Sequence, residues 1–287
     1  MATPAEEAPT LYRRRWIPAF DAPAAAIAGG IVIGLLVLVA IFAPLLAPYD
    51  PNAIDLGDTL APPSSEHWLG TDASGRDILS RLIYGTRTSL LGPLLVVGIS
   101  TLVGVPLGLL AGYRGGMVDG VLGRIWDVMF AFPPLLLAIV IVAAFGAGFW
   151  TATIAIAIIY IPLLARVVRG VVLVEREKAY VDACKVQGFS SIRVAGRHVL
   201  PNVSPTIAAQ STLNFGYALL DLAGLAFLGL GVQPPTSDWG QMLTDGRASL
   251  VLHSYSQVIS ASIAIAVAVV AFNLVGDALS QRAGRSR

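Results

Sequence analysis

Six blocks of apolar residues dominate the sequence, and each is close to the length that crosses a lipid bilayer. A helix rises about 1.5 Å per residue, so about 20 apolar residues span the hydrocarbon core. Only 13% of the 287 residues are charged, about half the fraction of an average soluble domain. The sequence therefore predicts an all-α membrane protein with six transmembrane helices. The blocks cover residues 24–46, 89–111, 128–145, 150–172, 205–230 and 256–279.

These blocks divide the chain into five parts. The predicted parts are an N-terminal tail at 1–23, a first transmembrane helix at 24–47, an extracytoplasmic loop at 48–88, a five-helix core at 89–279 that includes a polar segment at 173–204, and a C-terminal tail at 280–287. A cleaved signal peptide is the alternative for the first block, because basic residues precede it. The block is longer than a signal sequence requires, and no small-x-small cleavage site follows it.

The distribution of Lys and Arg predicts the orientation. With both termini in the cytoplasm, 15 of the 19 basic residues lie in cytoplasmic segments. Cytoplasmic loops of membrane proteins carry an excess of Lys and Arg. We therefore predict a multi-pass protein of a plasma membrane with cytoplasmic N- and C-termini.

Several function classes lack their usual motifs. Cys184 is the single cysteine, and the three histidines lie far apart without zinc-site spacing. The sequence contains no Walker loop, no HExxH and no GxSxG motif. The net charge of +1 does not indicate a nucleic-acid partner. We expect no catalytic residue, no metal site and no cofactor bound by this chain.

The polar segment at 173–204 has a helical pattern. Small and apolar residues recur at helical spacing from 179 to 186, and Gly188 is predicted to end this helix. A second short helix follows, and Pro201 is predicted to end it. Two interpretations are open at this point: an amphipathic hairpin that rests on lipid, or a docking element for a cytoplasmic partner.

This segment resembles the EAA loop in the permeases of ABC importers. That loop has a Glu-Ala-Ala triplet, a glycine four residues later and a Leu-Pro pair further on. The counterparts here are Asp182-Ala183-Cys184, Gly188 and Leu200-Pro201. Asp replaces Glu and Cys replaces Ala, so an acid and a small third residue are retained. The docking residues implied by the resemblance are Tyr180, Asp182, Ala183, Cys184, Gly188, Leu200 and Pro201.

Two further stretches resemble the C-type permeases of bacterial dipeptide and oligopeptide importers. They are HWLGTDASGRDILSRLIYGTRTSL at 67–90 and LDLAGLAFLGLGVQPPTSDWGQML at 220–243. With the EAA-like loop, the resemblance covers nearly the whole chain from residue 24. It implies a type I ABC importer permease fold with cytoplasmic coupling helices.

The same resemblance implies a division of labour. The chain is expected to be a non-catalytic subunit in the bacterial inner membrane, paired with a second, homologous permease. Two cytoplasmic subunits would bind ATP and magnesium, and an external binding protein would deliver peptide. Nickel, glutathione or another small solute is the alternative cargo within the same architecture.

Asp221 is the one carboxylate well inside an apolar block. Such groups commonly face a cavity or a partner. With Asn214 it is a candidate for the translocation path, and a structural bond to a neighbouring helix, for instance through Asn214, is the alternative. A stand-alone channel or secondary transporter commonly has several such groups, which counts against that class. An intramembrane enzyme would need a buried catalytic set, and the sequence suggests none.

Three further expectations concern local structure and reactivity. The i, i+4 pairs Asp72–Arg76 and Asp77–Arg81 predict a short outer helix with exposed ion pairs, or a contact surface for the binding protein. Pro205 is predicted to lie in the first turn of the fifth helix. The thiol of Cys184 is expected to react from the cytoplasmic side and to be protected by an ATPase subunit.

Overall fold

A computed structural model describes residues 22–285, and this region is almost entirely helical. Its helices are α1 Ala22–Leu46, α2 Ile78–Arg114, α3 Gly116–Phe130, α4 Pro134–Phe145, α5 Phe149–Glu175, α6 Ala179–Val186, α7 Ser191–Val194, α8 Leu200–Phe227, α9 Trp239–Val251 and α10 Ser256–Arg285. The predicted tail at 1–23 lies almost wholly outside the described residues. The predicted tail at 280–287 is helical as far as Arg285.

The all-α, membrane-spanning class is confirmed. Helices α1, α2, α5 and α10 are each long and apolar enough to cross a bilayer, and α3 with α4 makes a fifth candidate if the bent pair counts as one span. Helix α8 has 28 residues but is not among these candidates. Polar side chains such as Gln210, Asn214 and Asp221 lower its hydropathy. The number of six transmembrane helices therefore stays a prediction.

Helix α1 is held against α2 by an arginine that compensates for a proline. Pro44 lies inside α1, so the Ala40 carbonyl has no N–H donor four residues later. The Arg87 side chain of α2 donates to the carbonyls of Ala40 and Ile41. The unpaired carbonyl of α1 is thereby satisfied by a charged donor from the neighbouring helix.

A row of glycines joins α2 to α5. Gly104, Gly108 and Gly112 recur every four residues on one face of α2 and are buried. A Cβ atom at Gly104 would lie 2.9 Å from the Ile161 carbonyl oxygen, and one at Gly112 would lie 2.9 Å from the Arg169 carbonyl oxygen. Small residues at this spacing allow two membrane helices to approach closely. These two parallel helices form the centre of the molecule.

The third crossing differs from the predicted link at 112–127 and single helix at 128–145. Helix begins already at Gly116, stops at Phe130 and resumes at Pro134 with a bend of 84°. Paired prolines at 133–134 explain the break, because a proline lacks an N–H and restricts the residue before it. Asp127 therefore lies in the last turn of α3.

Two ion pairs attach α3 to α5. The Arg166 Nη2 atom lies 2.7 Å from an Asp127 carboxylate oxygen. Arg169 forms a bidentate ion pair with Asp119, in which the distance from Nη2 to Oδ2 is 2.7 Å. Asp119 and Asp127, which lie between two of the predicted helices, thus attach α3 to α5.

The outer segment before α2 is not helical where the i, i+4 spacing predicted it. Asp72 and Arg76 do form an ion pair, at 2.7 Å, but in a turn and with Asp72 only 1% exposed. Asp77 is the N-cap of α2 and accepts from the Ser80 N–H at 2.7 Å. It contacts His67 rather than Arg81, with Nδ1 of His67 at 2.9 Å.

Arg81 has partners that its sequence position does not reveal. Its side chain is fully buried and lies 3.7 Å from the Asp72 carboxylate and 3.6 Å from the Asp245 carboxylate of α9. The predicted exposed helix with two local ion pairs is therefore wrong. This cluster fastens the outer segment to α2 and α9.

Helices α8, α9 and α10 pack beside this outer cluster. Phe215 of α8 and Phe272 of α10 stack with ring centroids 3.7 Å apart. At the start of α9, Trp239 is buried and its indole N–H donates to the Leu82 carbonyl at 3.0 Å. Asp238 caps α9 and accepts the Ser89 hydroxyl at 2.7 Å. Helix α9 is thereby fixed to the outer part of α2.

Candidate functional site

The polar segment between α5 and α8 folds as two short helices, α6 and α7, separated by a glycine. Gly188 has a φ of +81°, in the left-handed region that favours glycine. The Phe189 N–H donates to the Cys184 carbonyl at 3.2 Å, and the Gly188 N–H to the Lys185 carbonyl at 3.0 Å. These two bonds make a Schellman cap, so the predicted helix–glycine–helix arrangement is confirmed.

The prediction that Pro201 ends the second helix is wrong. The backbone passes from α7 through a π-helical turn, Ala195–Val199, directly into α8. Pro201 lies in the first turn of α8, and Pro205 lies inside that helix. A proline in a regular helix interior clashes with the carbonyl four residues earlier, and the wider π turn occupies the corresponding stretch. The polar segment is therefore continuous with α8.

One face of α6 and α7 is buried in an apolar cluster with α5 and α8. Val181, Val194 and Val199 are fully buried in this cluster. It also contains Val172 of α5 and Cys184, whose side chain is 9% exposed. The Cys184 thiol is therefore buried in this chain, and its labelling from the cytoplasmic side stays a prediction. The cluster fixes both short helices to the membrane helices on either side.

The opposite face is exposed and partly apolar. Val186 and Ile192 are each 88% exposed, and Asp182 and Ala183 are also exposed. The Lys185 ammonium lies 2.8 Å from an Asp182 carboxylate oxygen. This hydrogen bond raises the pKa of Lys185. Exposed apolar side chains rimmed by charges are typical of a contact surface.

Two contacts between this segment and the membrane helices were missed from the sequence. Glu175 at the end of α5 is 2% exposed and accepts the Tyr180 hydroxyl at 3.0 Å. Burial raises the pKa of Tyr180, so its hydroxyl stays protonated and can donate. Arg176 donates to the Gly112 carbonyl at the end of α2 at 2.8 Å. The only local sequence signal that Glu175 has bonded partners was its i, i+3 spacing from Lys178, with which it pairs at 2.9 Å.

The seven residues assigned by the EAA-like pattern lie on both faces. Tyr180, Cys184 and Leu200 belong to the apolar cluster or pack against it. The exposed members are Asp182, Ala183, Gly188 and Pro201. The exposed residues are available to a partner, and the buried ones hold the segment in place.

The two candidates for the translocation path are not bonded to each other. The Tyr160 hydroxyl of α5 donates to the Asp221 carboxylate at 2.8 Å. Asn214 is buried and its Oδ1 atom accepts from the Gln210 side chain at 2.9 Å. Asp221 therefore bonds to a neighbouring helix, as the structural alternative proposed, but through Tyr160 and not through Asn214.

Within residues 22–285, no group of three or more His, Cys, Asp and Glu side chains has an arrangement that could hold a metal ion. The carboxylates described above are instead engaged with arginine, lysine, hydroxyl and backbone N–H donors.

Comparisons with known proteins agree with this arrangement. Residues 104–286 match the family "Binding-protein-dependent transport system inner membrane component". Residues 24–63 match the "N-terminal TM domain of oligopeptide transport permease C". The second match covers α1 and the start of the outer segment, and the first covers the remaining membrane helices from the middle of α2.

Three similar proteins each cover 88% of this chain. The dipeptide transport system permease protein DppC of Alkalihalophilus pseudofirmus is 43% identical over 254 residues, 83% of its length. The probable D,D-dipeptide transport system permease protein DdpC of Escherichia coli is 42% identical, over 85% of its length. The glutathione transport system permease protein GsiD of Pectobacterium atrosepticum is 42% identical, over 84% of its length. This chain therefore belongs to the family of binding-protein-dependent transport system inner membrane components, the permease subunits of ABC transporters.

Proposed function

We propose that this chain is the C-type permease of an importer of short peptides, driven by ATP hydrolysis in two cytoplasmic partner subunits. The observation that carries the proposal is the two-faced segment α6–α7. Its buried face is fixed to α5 and α8, and its exposed face presents Asp182, Ala183, Val186 and Ile192. A partner that moves this face moves two membrane helices with it.

The proposed coupling uses contacts of this chain alone. The π turn makes α7 continuous with α8, so a displacement of α7 is transmitted along that helix. The bond of Glu175 to Tyr180 connects α6 to α5, and the bond of Arg176 to Gly112 connects α5 to α2. Gly188 sets the angle between α6 and α7. The segment therefore moves as a rigid unit that is attached to α8, to α5 and, through Arg176, to α2.

The chemistry of ATP hydrolysis is assigned to other subunits. We propose that two ATP-binding subunits hold ATP and magnesium, that a second, homologous permease completes the pathway, and that an external binding protein delivers cargo. This chain catalyses no reaction and binds no cofactor in this scheme. The excess of basic residues on one side supports cytoplasmic N- and C-termini in a bacterial inner membrane.

Dipeptides and oligopeptides are the proposed cargo. Two of the similar proteins are named for dipeptide or D,D-dipeptide transport, and the N-terminal match is to a family named for oligopeptide transport. Glutathione is the second candidate, because a relative of equal similarity is named for its transport. Asp221 and Asn214 are proposed to serve the path mainly as structural groups, since both already have bonded partners.

The test is ATP hydrolysis by the complex that co-purifies with this chain, reconstituted in lipid with and without loaded external binding protein. A panel of dipeptides, oligopeptides, glutathione and nickel is offered. Stimulation by peptide-loaded binding protein is expected. Stimulation by glutathione or nickel alone would keep the permease role and change the cargo. An intact preparation without any ATPase activity would instead favour a channel or secondary transporter.

A further inference from the structure

A groove of about 760 Å³ lies between the last turns of α2 and the start of α7. Three cationic side chains line it: Arg114, Arg176 and Lys185. None of the described residues that line the groove is a carboxylate. Positively charged side chains therefore gather at one end of the central helix pair.

Arg114 is the least engaged of the three cations. Lys185 is paired with Asp182 at 2.8 Å, and Arg176 with Glu177 at 3.0 Å. Arg114 is exposed and has no carboxylate partner among residues 22–285. Its positive charge is thus available to an external anion.

Hydroxyl groups add hydrogen-bond donors to the same groove. Ser190 and Ser191 line it, together with Tyr113. Ser190 occupies the N-cap position of α7, but its side chain makes no capping bond, so its hydroxyl can turn towards a ligand. Guanidinium, ammonium and hydroxyl donors together suit a phosphate group.

The remaining wall of the groove is apolar. Pro106, Leu109 and Leu110 line it along the last turns of α2, and Ile192 lines it from α7. Leu110 is 45% exposed. Because α2 is long and apolar enough to cross the bilayer, this wall extends from the membrane towards the three cations. A free phosphate ion makes no favourable contact with an apolar wall, whereas an acyl chain can pack against it.

We propose that this groove binds an anionic phospholipid, with its headgroup phosphate at Arg114 and an acyl chain along α2. Basic pockets beside membrane helices are suited to anionic headgroups, because the leaflet surface brings the lipid to them. The groove adjoins α7, so a bound lipid would contact the same α6–α7 segment that carries the proposed docking surface. The inference goes beyond the proposed function and does not depend on the cargo.

The experiment is a lipid titration followed by native mass spectrometry of the full-length chain in a mild detergent. Dioleoyl phosphatidylglycerol is compared with dioleoyl phosphatidylethanolamine. We expect the anionic lipid to be retained preferentially, and Arg114→Gln to weaken its apparent affinity about five-fold. The matched control is Arg124→Gln, an equal charge change at an exposed position of α3 outside the groove. It should bind like the wild type.

Four results would overturn the proposal. Equal retention of the two lipids would show that charge does not select the ligand. Equal weakening by both variants would show only a general attraction of basic residues. Competition by millimolar glycerol 3-phosphate would indicate a site for a soluble phosphate. Displacement of the lipid on adding the co-purified ATPase subunit would make the groove part of the docking surface.

Discussion

The Tyr160 hydroxyl on α5 donates a hydrogen bond of 2.8 Å to the Asp221 carboxylate on α8. These are the two membrane helices that flank the α6–α7 segment. The bond therefore joins the two helices between which that segment lies. It also gives a partner to a carboxylate that is predicted to lie within the membrane, where such groups generally need one.

Tyr160→Phe is expected to destabilise the chain, because it leaves the Asp221 carboxylate without its donor. A double-mutant cycle with Asp221→Asn, measured by SDS titration in bicelles, should give a coupling energy of about 1 kcal/mol. Peptide uptake should persist in Tyr160→Phe once the protein is inserted. Unchanged stability together with abolished uptake would assign Asp221 to the translocation path instead.

Gly188→Val should leave the chain inserted but uncouple ATP hydrolysis from transport. The φ of +81° costs a β-branched residue about 1–2 kcal/mol, and there is open space around the position, so the effect comes from the backbone. Uptake and ATPase rates in proteoliposomes measure it. Gly188→Asn is the control, since asparagine tolerates this conformation. Full coupling in the valine variant would contradict a fixed angle here.

Gly108→Ala should destabilise the packing of α2 against α5 by about 1–3 kcal/mol. The added methyl group would lie against the Ala165 carbonyl and 2.7 Å from Val168 Cβ. Gly98→Ala, on the same helix with no atom nearby, should be neutral or stabilising by up to about 1 kcal/mol. Thermal unfolding in detergent compares the two. Equal melting temperatures would contradict the close approach of these helices.

Cys184 should react slowly with a maleimide, because its thiol is buried. In a Cys184→Ala background, Val186→Cys should react at least about ten-fold faster, since Val186 lies two residues further along α6 on the opposite face and is 88% exposed. An added ATPase subunit should protect the new thiol, and membrane vesicles of known sidedness should locate it in the cytoplasm. Fast labelling of Cys184 in the folded chain would contradict the buried face of α6.

Parts of this fold follow directly from sequence pattern. Long apolar stretches predicted α1 and α10, since each has the length that crosses a bilayer. The α6–Gly188 boundary was also predictable, because a glycine after a helical pattern provides the left-handed cap. This prediction from the sequence succeeds because the capping hydrogen bonds join only residues that are close together in the chain.

Other parts depend on tertiary contacts that local rules omit. Helix α3 contains glycines and charges typical of a loop, but tertiary contacts hold it as a helix: its ion pairs to Arg166 and Arg169 and the burial of Trp126. Arg81 was assigned to Asp77 by spacing, but burial brings it to Asp72 and Asp245. Pro201 was predicted to end the second short helix. The π turn before Pro201 instead allows the helix to continue.

We propose that the exposed face of α6 docks an ATPase subunit, and the amount of that subunit that co-purifies with the chain measures the docking. Ala183→Arg places a large charged side chain on that face, and Ala53→Arg makes the same change at an exposed outer position. With equal amounts of inserted chain, Ala183→Arg should retain about ten-fold less ATPase subunit than the wild type. Ala53→Arg should retain the normal amount. Normal retention by Ala183→Arg would contradict docking at this face.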